Sequence, residues 1–179
     1  MMECITCRDR LIASDRIDLK EVLASTGMFY DFEIDVALEI IELFLKDGEK
    51  TGYYFYVLES EGRAVGYVNF GPTPCTVASW DMYWMAVRKD LQGAGWGRKL
   101  LEMAEKRIFS MGGKNIWIET SSRDAYVPTQ IFYSRNGYEL FSRLPDFYDT
   151  GDDRLVFGKK TGRIEERLKG VRCESVVPK

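Results

Sequence analysis

The chain of 179 residues is 45% hydrophobic and 13% aromatic, which is enough to bury one substantial core but hardly two. Its formal net charge of -3 argues against a nucleic-acid partner, because neutralising phosphates requires a clustered positive surface. The sequence contains no histidine, so histidine-dependent nucleophilic catalysis and histidine-based metal sites are excluded. Any general base must therefore be a carboxylate, a tyrosine, a thiolate or a water molecule held by one of these.

The amino-terminal part of the chain is predicted to form one strand and two helices. The strand is "ECITCR", and the first helix is "DRIDLKEVLAST", which ends at Gly27. The second helix is predicted over "DFEIDVALEIIELFLKDGEK", where acids crowd the first turn and Gly48 ends the segment. Its apolar residues at helical spacing are Val36, Ile40, Leu43 and Phe44.

From Tyr53 the hydrophobic period changes to that of strands. Three successive antiparallel strands are predicted at "YYFYVLE", "AVGYVNF" and "TVASWDMYWMAV". A glycine-led helix follows, then the strand "NIWIET", the short helix "PTQIFYSRN", and two strands, "YELFSR" and "RLVFGKK", around an acidic turn. We expect residues 1–160 to form one domain, and residues 161–179 to form a tail or short helix of unknown role.

This order of seven strands and four helices predicts an α+β fold with a mixed, mostly antiparallel sheet. The glycine-led helix connects two parallel neighbouring strands, which end in "WMAV" and "WIET". Ligands of such sheets bind where strand ends meet the amino terminus of a helix. The glycines lie at that position.

The sequence has no membrane span of about 18 to 20 apolar residues and no apolar signal-peptide core, so we expect a cytoplasmic protein without a membrane partner. Cys4 and Cys7 form a CxxC, but residues three apart on a strand point to opposite faces. Cys75 and Cys173 do not form a second CxxC. We therefore expect reduced thiols and no bound metal.

The segment "VRKDLQGAGWGRKLLEMAEKRI" contains Gly93, Gly95 and Gly97 before its helix. Glycine is best tolerated there if a turn needs positive φ or a ligand must touch the main chain. Arg98 and Lys99 oppose the helix dipole unless an anion lies in front of them. These features predict a phosphate-binding turn, and close packing of the helix on the sheet is the alternative.

Other phosphate-binding motifs match less well. A P-loop needs GxxxxGK[ST], but Lys99 is followed by Leu100. A dinucleotide fold needs GxGxxG directly after its strand, whereas "RKDLQ" intervenes here and the third glycine comes one position early. Glu119 lies at the end of a strand about where that fold carries its ribose-binding acid, so spacing alone does not exclude a dinucleotide-binding fold. In an S-adenosylmethionine-dependent methyltransferase, the first acid would lie closer to the glycines than Asp90 does.

Two motifs in the same order resemble the GNAT superfamily of acyl-CoA-dependent N-acetyltransferases. Gln92 to Gly97 match (Q/R)xxGx(G/A), and Phe132 to Tyr138 match FYxxxG(F/Y). The resemblance implies a GNAT-like domain that uses acetyl-CoA as co-substrate and acetylates a primary amine of an unidentified small-molecule or peptide acceptor, by direct attack through a tetrahedral intermediate. A non-catalytic acyl-CoA-binding module is the alternative, and the methyltransferase is a weaker one.

The resemblance also implies which residues bind the coenzyme. Main-chain groups at the end of the "WMAV" strand would bind the pantetheine arm, and amides of the glycine turn would hold the diphosphate. After the fifth strand, where family members often carry an asparagine, this chain instead offers Thr120, Ser121, Tyr126 and Thr129. The expected coenzyme-binding residues are Met85, Ala86, Val87, Gln92, Gly93, Ala94, Gly95, Trp96, Gly97, Arg98, Thr120, Thr129 and Tyr133.

Two residues are assigned catalytic roles. Tyr133 matches the family's general acid, which protonates the leaving thiolate. Asp81 corresponds in position to the glutamate base of some members, and it shares a strand face with Tyr83, Met85 and Val87 if no bulge intervenes. Glu119 and a water molecule are the alternative bases.

The acceptor is expected between the first two helices, the strand that carries Asp81 and the turn "PDFYDTGDD". The acids of this turn either attract a cationic amine or form a solvated hairpin. They are Asp146, Asp149, Asp152 and Asp153. Edge strands at the carboxyl end of such folds often pair between two copies of a chain, so a homodimer is kept as an alternative to a monomer.

Overall fold

The computed structural model describes residues 5–160 as eleven strands and helices in the predicted order. The strands are β1 (Ile5–Arg8), β2 (Tyr54–Ser60), β3 (Arg63–Pro72), β4 (Ser79–Val87), β5 (Asn115–Ser121), β6 (Glu139–Asp149) and β7 (Asp152–Lys160). The helices are α1 (Asp15–Thr26), α2 (Asp31–Asp47), α3 (Trp96–Ser110) and α4 (Val127–Arg135). Cys4, Cys173 and the segment 161–179, for which expectations were stated, lie outside the described residues.

The seven strands form one sheet in the order β1-β2-β3-β4-β5-β7-β6. Every neighbouring pair is antiparallel except β4 and β5, which are parallel and are joined by α3. The predicted mixed, mostly antiparallel sheet with four helices is therefore confirmed. Because α3 crosses between parallel neighbours, its amino terminus lies at the carboxyl end of β4.

Two apolar clusters form on opposite faces of this sheet, because alternate residues of a strand point to opposite sides. One cluster contains the buried side of α3, with Leu100, Leu101 and Ile108 packed against β3, β4 and β5. The other contains the buried sides of α1 and α2. The helices thus fix the sheet from both sides and hold the end of β4 in place.

Helix α2 forms where its periodicity predicts it, but it faces the sheet with a different set of residues. Val36 is 47% exposed and Leu43 is 43% exposed, although both belong to the apolar pattern that predicts the helix. The periodicity is ambiguous because α2 carries apolar residues around much of its circumference. The buried residues of α2 are Ile34, Ala37, Leu38, Ile41 and Phe44.

Candidate active site

A cleft of about 1640 Å³ opens at the carboxyl ends of β4 and β5. This volume exceeds the roughly 300 to 1,000 Å³ of a typical single-ligand pocket, so the cleft is large enough for two ligands side by side. One end of the cleft lies at the start of α3 and along α4. The other end lies between the α1–α2 loop and the β6–β7 hairpin.

The turn before α3 depends on glycine at two of its three glycine positions. Gly93 has φ 79° and Gly95 has φ 90°, a conformation that residues with a Cβ rarely adopt. A Cβ at either position would point into open space, so conformation rather than packing requires these glycines. Gly97 has an ordinary φ, and a Cβ there would lie 3.6 Å from the Phe132 ring. The expected positive-φ turn is therefore present.

The first amides of α3 face the cleft without a side-chain cap. Gly95 precedes the helix and supplies no side-chain hydrogen bond to it. The amino end of a helix with free N–H groups carries a partial positive charge, which makes it a binding site for an anion. Gln92, Gly93, Gly95, Gly97 and Arg98 line this end of the cleft.

The four residues of this turn that carry side chains differ in their surroundings. The Gln92 side-chain amide donates to the Val87 carbonyl oxygen at 3.0 Å and ties the turn to β4. Arg98 pairs with Glu102 at 2.8 Å on the exposed surface of α3. Ala94 is exposed, and Trp96 packs against the α3 side of the core. Neither Ala94 nor Trp96 is among the residues that line the cleft.

Strands β4 and β5 pair at their starts and then diverge. Ser79, Trp80 and Asp81 pair with β5, whereas β4 continues to Val87 and β5 continues to Ser121. The segment from Met85 to Val87 therefore has main-chain groups that face the cleft instead of β5. This divergence leaves one edge of β4 open to the cleft.

A bulge at Tyr83 changes the face on which Asp81 lies. Asn69 pairs with Trp84 and Phe70 pairs with Met82, so Tyr83 is an extra residue on β4. The bulge reverses the alternation, and Asp81 does not share a face with Met85 and Val87. The shared face is predicted on the condition that no bulge intervenes, and the structure does not meet this condition.

Asp81 is not among the residues that line the cleft. Burial raises the pKa of its carboxyl group above the ordinary value. Glu119, the alternative base, does line the cleft. It lies on β5, with about half of its side chain exposed, and forms an ion pair with Arg154 at 3.4 Å.

Tyr133 lines the cleft from α4 and is 6% exposed. Its ring lies among those of Phe132, Tyr138 and Phe157, with centroids 5.5 to 6.0 Å away. Burial raises the pKa of its phenol well above the ordinary value, and proximity to Tyr126 adds to the increase. The phenol therefore stays protonated at neutral pH.

The two threonines named from the resemblance also line the cleft. Thr120 is 6% exposed, and its Oγ1 has no hydrogen-bond partner within residues 5–160. A buried hydroxyl without a partner is costly, so a ligand that accepts or donates a hydrogen bond there would be favoured. Thr129 is half-buried on α4.

Arg123 holds together the end of the cleft between the α1–α2 loop and the β6–β7 hairpin, and no motif in the sequence points to it. Its guanidinium lies 4.4 Å from the centroid of the Tyr30 ring and 5.1 Å from that of Tyr126. The same group pairs with Asp152 at 3.3 Å. The Tyr126 hydroxyl donates to the Met28 carbonyl oxygen at 3.3 Å. These contacts join the α1–α2 loop to the β6–β7 hairpin.

The acids of the β6–β7 hairpin form ion pairs and hydrogen bonds with other residues of the fold. Asp152 and Asp153 are both 7% exposed, and Asp153 pairs with Arg143. The carboxylates of Asp146 and Asp149 accept hydrogen bonds from hairpin amides. Asp146 and Asp149 are exposed, as in a solvated hairpin, whereas Asp152 and Asp153 are buried because β6 and β7 extend further than the sequence predicts.

The thiols, carboxylates and helices of the described residues bear on metal binding and membrane insertion. Within residues 5–160, the structure has no group of three or more Cys, Asp and Glu side chains placed to hold a metal ion. Cys7 is half-buried, and its thiol donates to the Met103 sulfur at 3.4 Å. No helix in the described part of the chain has the length and apolar character needed to cross a membrane.

Comparison with known proteins agrees with this architecture. The family model of the acetyltransferase (GNAT) domain matches residues 51–140, half of the chain, from the turn before β2 to the start of β6. The chain therefore belongs to the GNAT acetyltransferase family.

Three individual proteins are similar to this chain. An uncharacterized N-acetyltransferase from Methanocaldococcus jannaschii is 33% identical over 111 residues, which cover 59% of this chain and 65% of that protein. A GNAT-family protein from Desulfovibrio desulfuricans has a crystal structure with TM-score 0.85 and 34% identity, covering 88% of this chain and 99% of its own. An N-acetyltransferase from Thermoplasma acidophilum in complex with coenzyme A shares the fold, with TM-score 0.67, 16% identity, and coverage of 88% and 99%.

Proposed function

We propose that the chain transfers an acetyl group from acetyl-CoA to a primary amine. The observation that carries this proposal is the cleft, in which an uncapped helix amino terminus, an open strand edge and a buried tyrosine line one continuous surface. The family membership and the coenzyme A bound to the Thermoplasma acidophilum structure support the choice of ligand.

The residues of the coenzyme end fit the parts of acetyl-CoA. The diphosphate would accept hydrogen bonds from the amides between Gln92 and Arg98, where the helix dipole favours negative charge. The pantetheine arm contains amide groups, which would pair with the main chain of Met85 to Val87 as an added strand does. Thr120 Oγ1 offers a further hydrogen bond.

The chemistry requires a neutral amine and a protonated leaving group. The amine nitrogen attacks the thioester carbonyl carbon, a C–N bond forms, and the C–S bond breaks as the resulting tetrahedral centre collapses. The amine gives up a proton to a base, and the departing sulfur receives one from Tyr133, whose phenol regains its proton from solvent. Burial raises the pKa of Tyr133 above that of an ordinary phenol, so the hydroxyl carries its proton throughout the neutral range.

We place Glu119, directly or through a water molecule, ahead of Asp81 as the base. A base must lie within hydrogen-bond reach of the proton that it removes, and Glu119 lines the cleft whereas Asp81 does not. Glu119 is about half exposed and forms an ion pair with Arg154 at 3.4 Å, so its carboxylate is held at the edge of the cleft.

The test is acetyl-CoA-dependent thiol release with a panel of primary amines, each paired with its N,N-dimethyl counterpart. We expect release with primary amines above the background of hydrolysis, and none above background with the tertiary partners, which cannot form a stable amide. Tight coenzyme binding without release for any amine would contradict the proposal in favour of a non-catalytic binding module. Binding of S-adenosylmethionine without binding of coenzyme A would contradict the choice of ligand.

A further inference from the structure

Helix α2 has a second apolar face, which the described part of the fold does not cover. Phe32 is 67% exposed, Val36 is 47% exposed and Leu43 is 43% exposed, while Ile40 between them is half-buried. Spacings of four, four and three residues place these side chains on one side of the helix. A surface helix usually carries one apolar stripe, which faces the core. Contiguous exposed apolar surface marks a binding site.

This outer face of α2, formed by Phe32, Val36, Ile40 and Leu43, continues into the acceptor end of the cleft. Phe32 and Val36 line the cleft, whereas Leu43 does not. The Tyr30 ring stacks on that of Phe32 with centroids 5.5 Å apart and extends the surface toward Arg123. From Phe32 to Leu43 the helix rises about 16 Å, at about 1.5 Å per residue. A ligand that enters the cleft beside Phe32 thus meets apolar surface well beyond it.

The charges beside this face are predominantly acidic. Asp35, Glu39 and Glu42 are exposed along the neighbouring row of α2, and Glu42 pairs with Arg16 of α1. The basic residue within α2 is Lys46. A partner that presents apolar and cationic side chains together would be attracted to this surface, and an acidic partner would be repelled.

We propose that the acceptor is a polypeptide whose amine enters the cleft while its apolar and cationic side chains lie along the outer face of α2. This inference rests on the proposed function, and it names the class of acceptor. An extended chain advances about 3.3 Å per residue, so about five residues span the surface from Phe32 to Leu43. A small amine would fill the cleft and leave this surface exposed. A second copy of the chain is disfavoured, because a symmetric contact would bring the acidic rows of two α2 helices together.

The test compares acceptors that carry the same amine with and without a chain attached. Two ten-residue peptides rich in leucine and arginine would be used, one with a free amino terminus and no lysine, and one acetyl-capped with a single lysine. Their short counterparts are a dipeptide amide with the same amino terminus and Nα-acetyl-lysine methylamide. We expect kcat/KM for at least one long peptide to exceed that of its short counterpart by at least about tenfold, mostly through KM.

Leu43→Arg tests the surface itself, because Leu43 lies outside the cleft and is exposed. We expect it to lower kcat/KM for the preferred long peptide by at least about tenfold, since it removes apolar contact and adds a charge that repels arginine side chains. The kcat/KM for the short amines should stay within about twofold. Val77→Arg is the matched control, because Val77 is fully exposed in the turn before β4, and it should change neither value. Leu43→Ser, without the added charge, should show a smaller effect in the same direction, and circular dichroism checks the fold of each variant.

Each outcome separates this inference from the proposed function. Equal kcat/KM for long and short acceptors, or an unchanged peptide KM in Leu43→Arg, overturns the inference and leaves acetyl transfer intact. A wild-type dimer that Leu43→Arg dissociates, seen by sedimentation, also overturns it and assigns the surface to a second copy. Coenzyme binding without thiol release for any amine, short or long, contradicts the proposed function, and the inference fails with it.

Discussion

The two ends of the cleft are built in different ways. The end proposed to bind the coenzyme, called the coenzyme end, presents main chain from the glycine turn before α3 and from the unpaired edge of β4. The end proposed to bind the acceptor, called the acceptor end, presents side chains from the α1–α2 loop, β4, β5 and the β6–β7 hairpin, joined through Arg123. A main-chain site is encoded by the few residues that allow its conformation. A side-chain site is encoded by segments that meet only in the folded protein.

The largest effect is expected from placing a side chain in the glycine turn. Gly95→Glu puts a carboxylate where the diphosphate is proposed to bind, at a position with φ 90°. We expect coenzyme affinity to fall by about 1000-fold, equal to about 4 kcal/mol, as measured by titration calorimetry.

Gly112→Glu is the matched control for Gly95→Glu. Gly112 also has positive φ, 84°, with open space where a Cβ would lie, but it is located beyond the other end of α3. Both variants should lose similar stability, and Gly112→Glu should keep its coenzyme affinity. Equal loss of coenzyme affinity in the two variants would show that disruption of the fold, and not a change at the ligand site, causes the loss.

Tyr133→Phe tests the proposed proton transfer to the leaving thiolate. We expect kcat to fall by about 100-fold while coenzyme affinity stays within about twofold, because the substitution removes one general acid and keeps the ring. Tyr138→Phe is the control, since Tyr138 packs on the same rings and is not among the cleft-lining residues. An unchanged kcat in Tyr133→Phe would remove this tyrosine from the mechanism.

Glu119→Gln and Asp81→Asn form a pair that distinguishes the two proposed bases. We expect Glu119→Gln to lower kcat by about 30-fold, and Asp81→Asn to change it by less than about threefold, because Glu119 faces the cleft. Steady-state kinetics with a saturating amine measures both. The opposite ranking would restore Asp81 as the base and would require a route from its carboxylate to the cleft.

Arg123→Lys probes the side-chain end of the cleft. Lysine keeps the charge but loses the planar group that lies over Tyr30 and reaches Asp152. We expect the acceptor KM to rise by about tenfold with coenzyme affinity unchanged. Arg107→Lys, on the exposed surface of α3, should leave both constants unaltered. A loss confined to coenzyme affinity would contradict the assignment of Arg123 to the acceptor end.

The smallest effect concerns the sheet that supports both ends. Tyr67 is 1% exposed, and its hydroxyl has no hydrogen-bond partner in the described residues. Tyr67→Phe should raise the free energy of unfolding by about 1 kcal/mol at neutral pH, as measured by urea denaturation, because it removes an unpaired buried hydroxyl. A loss of stability would indicate a hydrogen bond to that hydroxyl.

The same tyrosine makes the free energy of unfolding depend on pH in a definite direction. Burial raises the pKa of Tyr67, so stability is unaffected below about pH 10 and falls above it as the unfolded chain ionises first. Each such tyrosine costs up to about 1.4 kcal/mol per pH unit in that range. Tyr67→Phe should therefore make the alkaline decline less steep.

The sequence predicts the fold and the positive-φ turn before α3 for a physical reason. Periodicity together with glycine and proline positions locates the strands and helices, and Gly93 and Gly95 both have positive φ in the turn before α3. The bulge at Tyr83 was not predicted, because "SWDMYWMAV" contains no glycine or proline to mark a break in alternation. That bulge decides which face of β4 carries Asp81.

The acceptor end resisted prediction because its interactions are long-range. Arg123 lies in a loop of mixed polar residues, and its role depends on Tyr30 and Asp152, which are distant along the chain. The sequence places the hairpin acids in an exposed turn between the last two strands. Asp152 and Asp153 are nevertheless buried, because the strands continue past the predicted turn. On α2, periodicity located the helix but could not tell the covered face from the uncovered one.

A crystal structure with bound acetyl-CoA tests the central claim most directly, namely that the main chain at the start of α3 holds the coenzyme diphosphate. We expect diphosphate oxygens about 2.7 to 3.2 Å from amide nitrogens of residues 92–98, with the pantetheine arm along Met85 to Val87. A diphosphate bound elsewhere, or held at this end by side chains alone, would contradict the account.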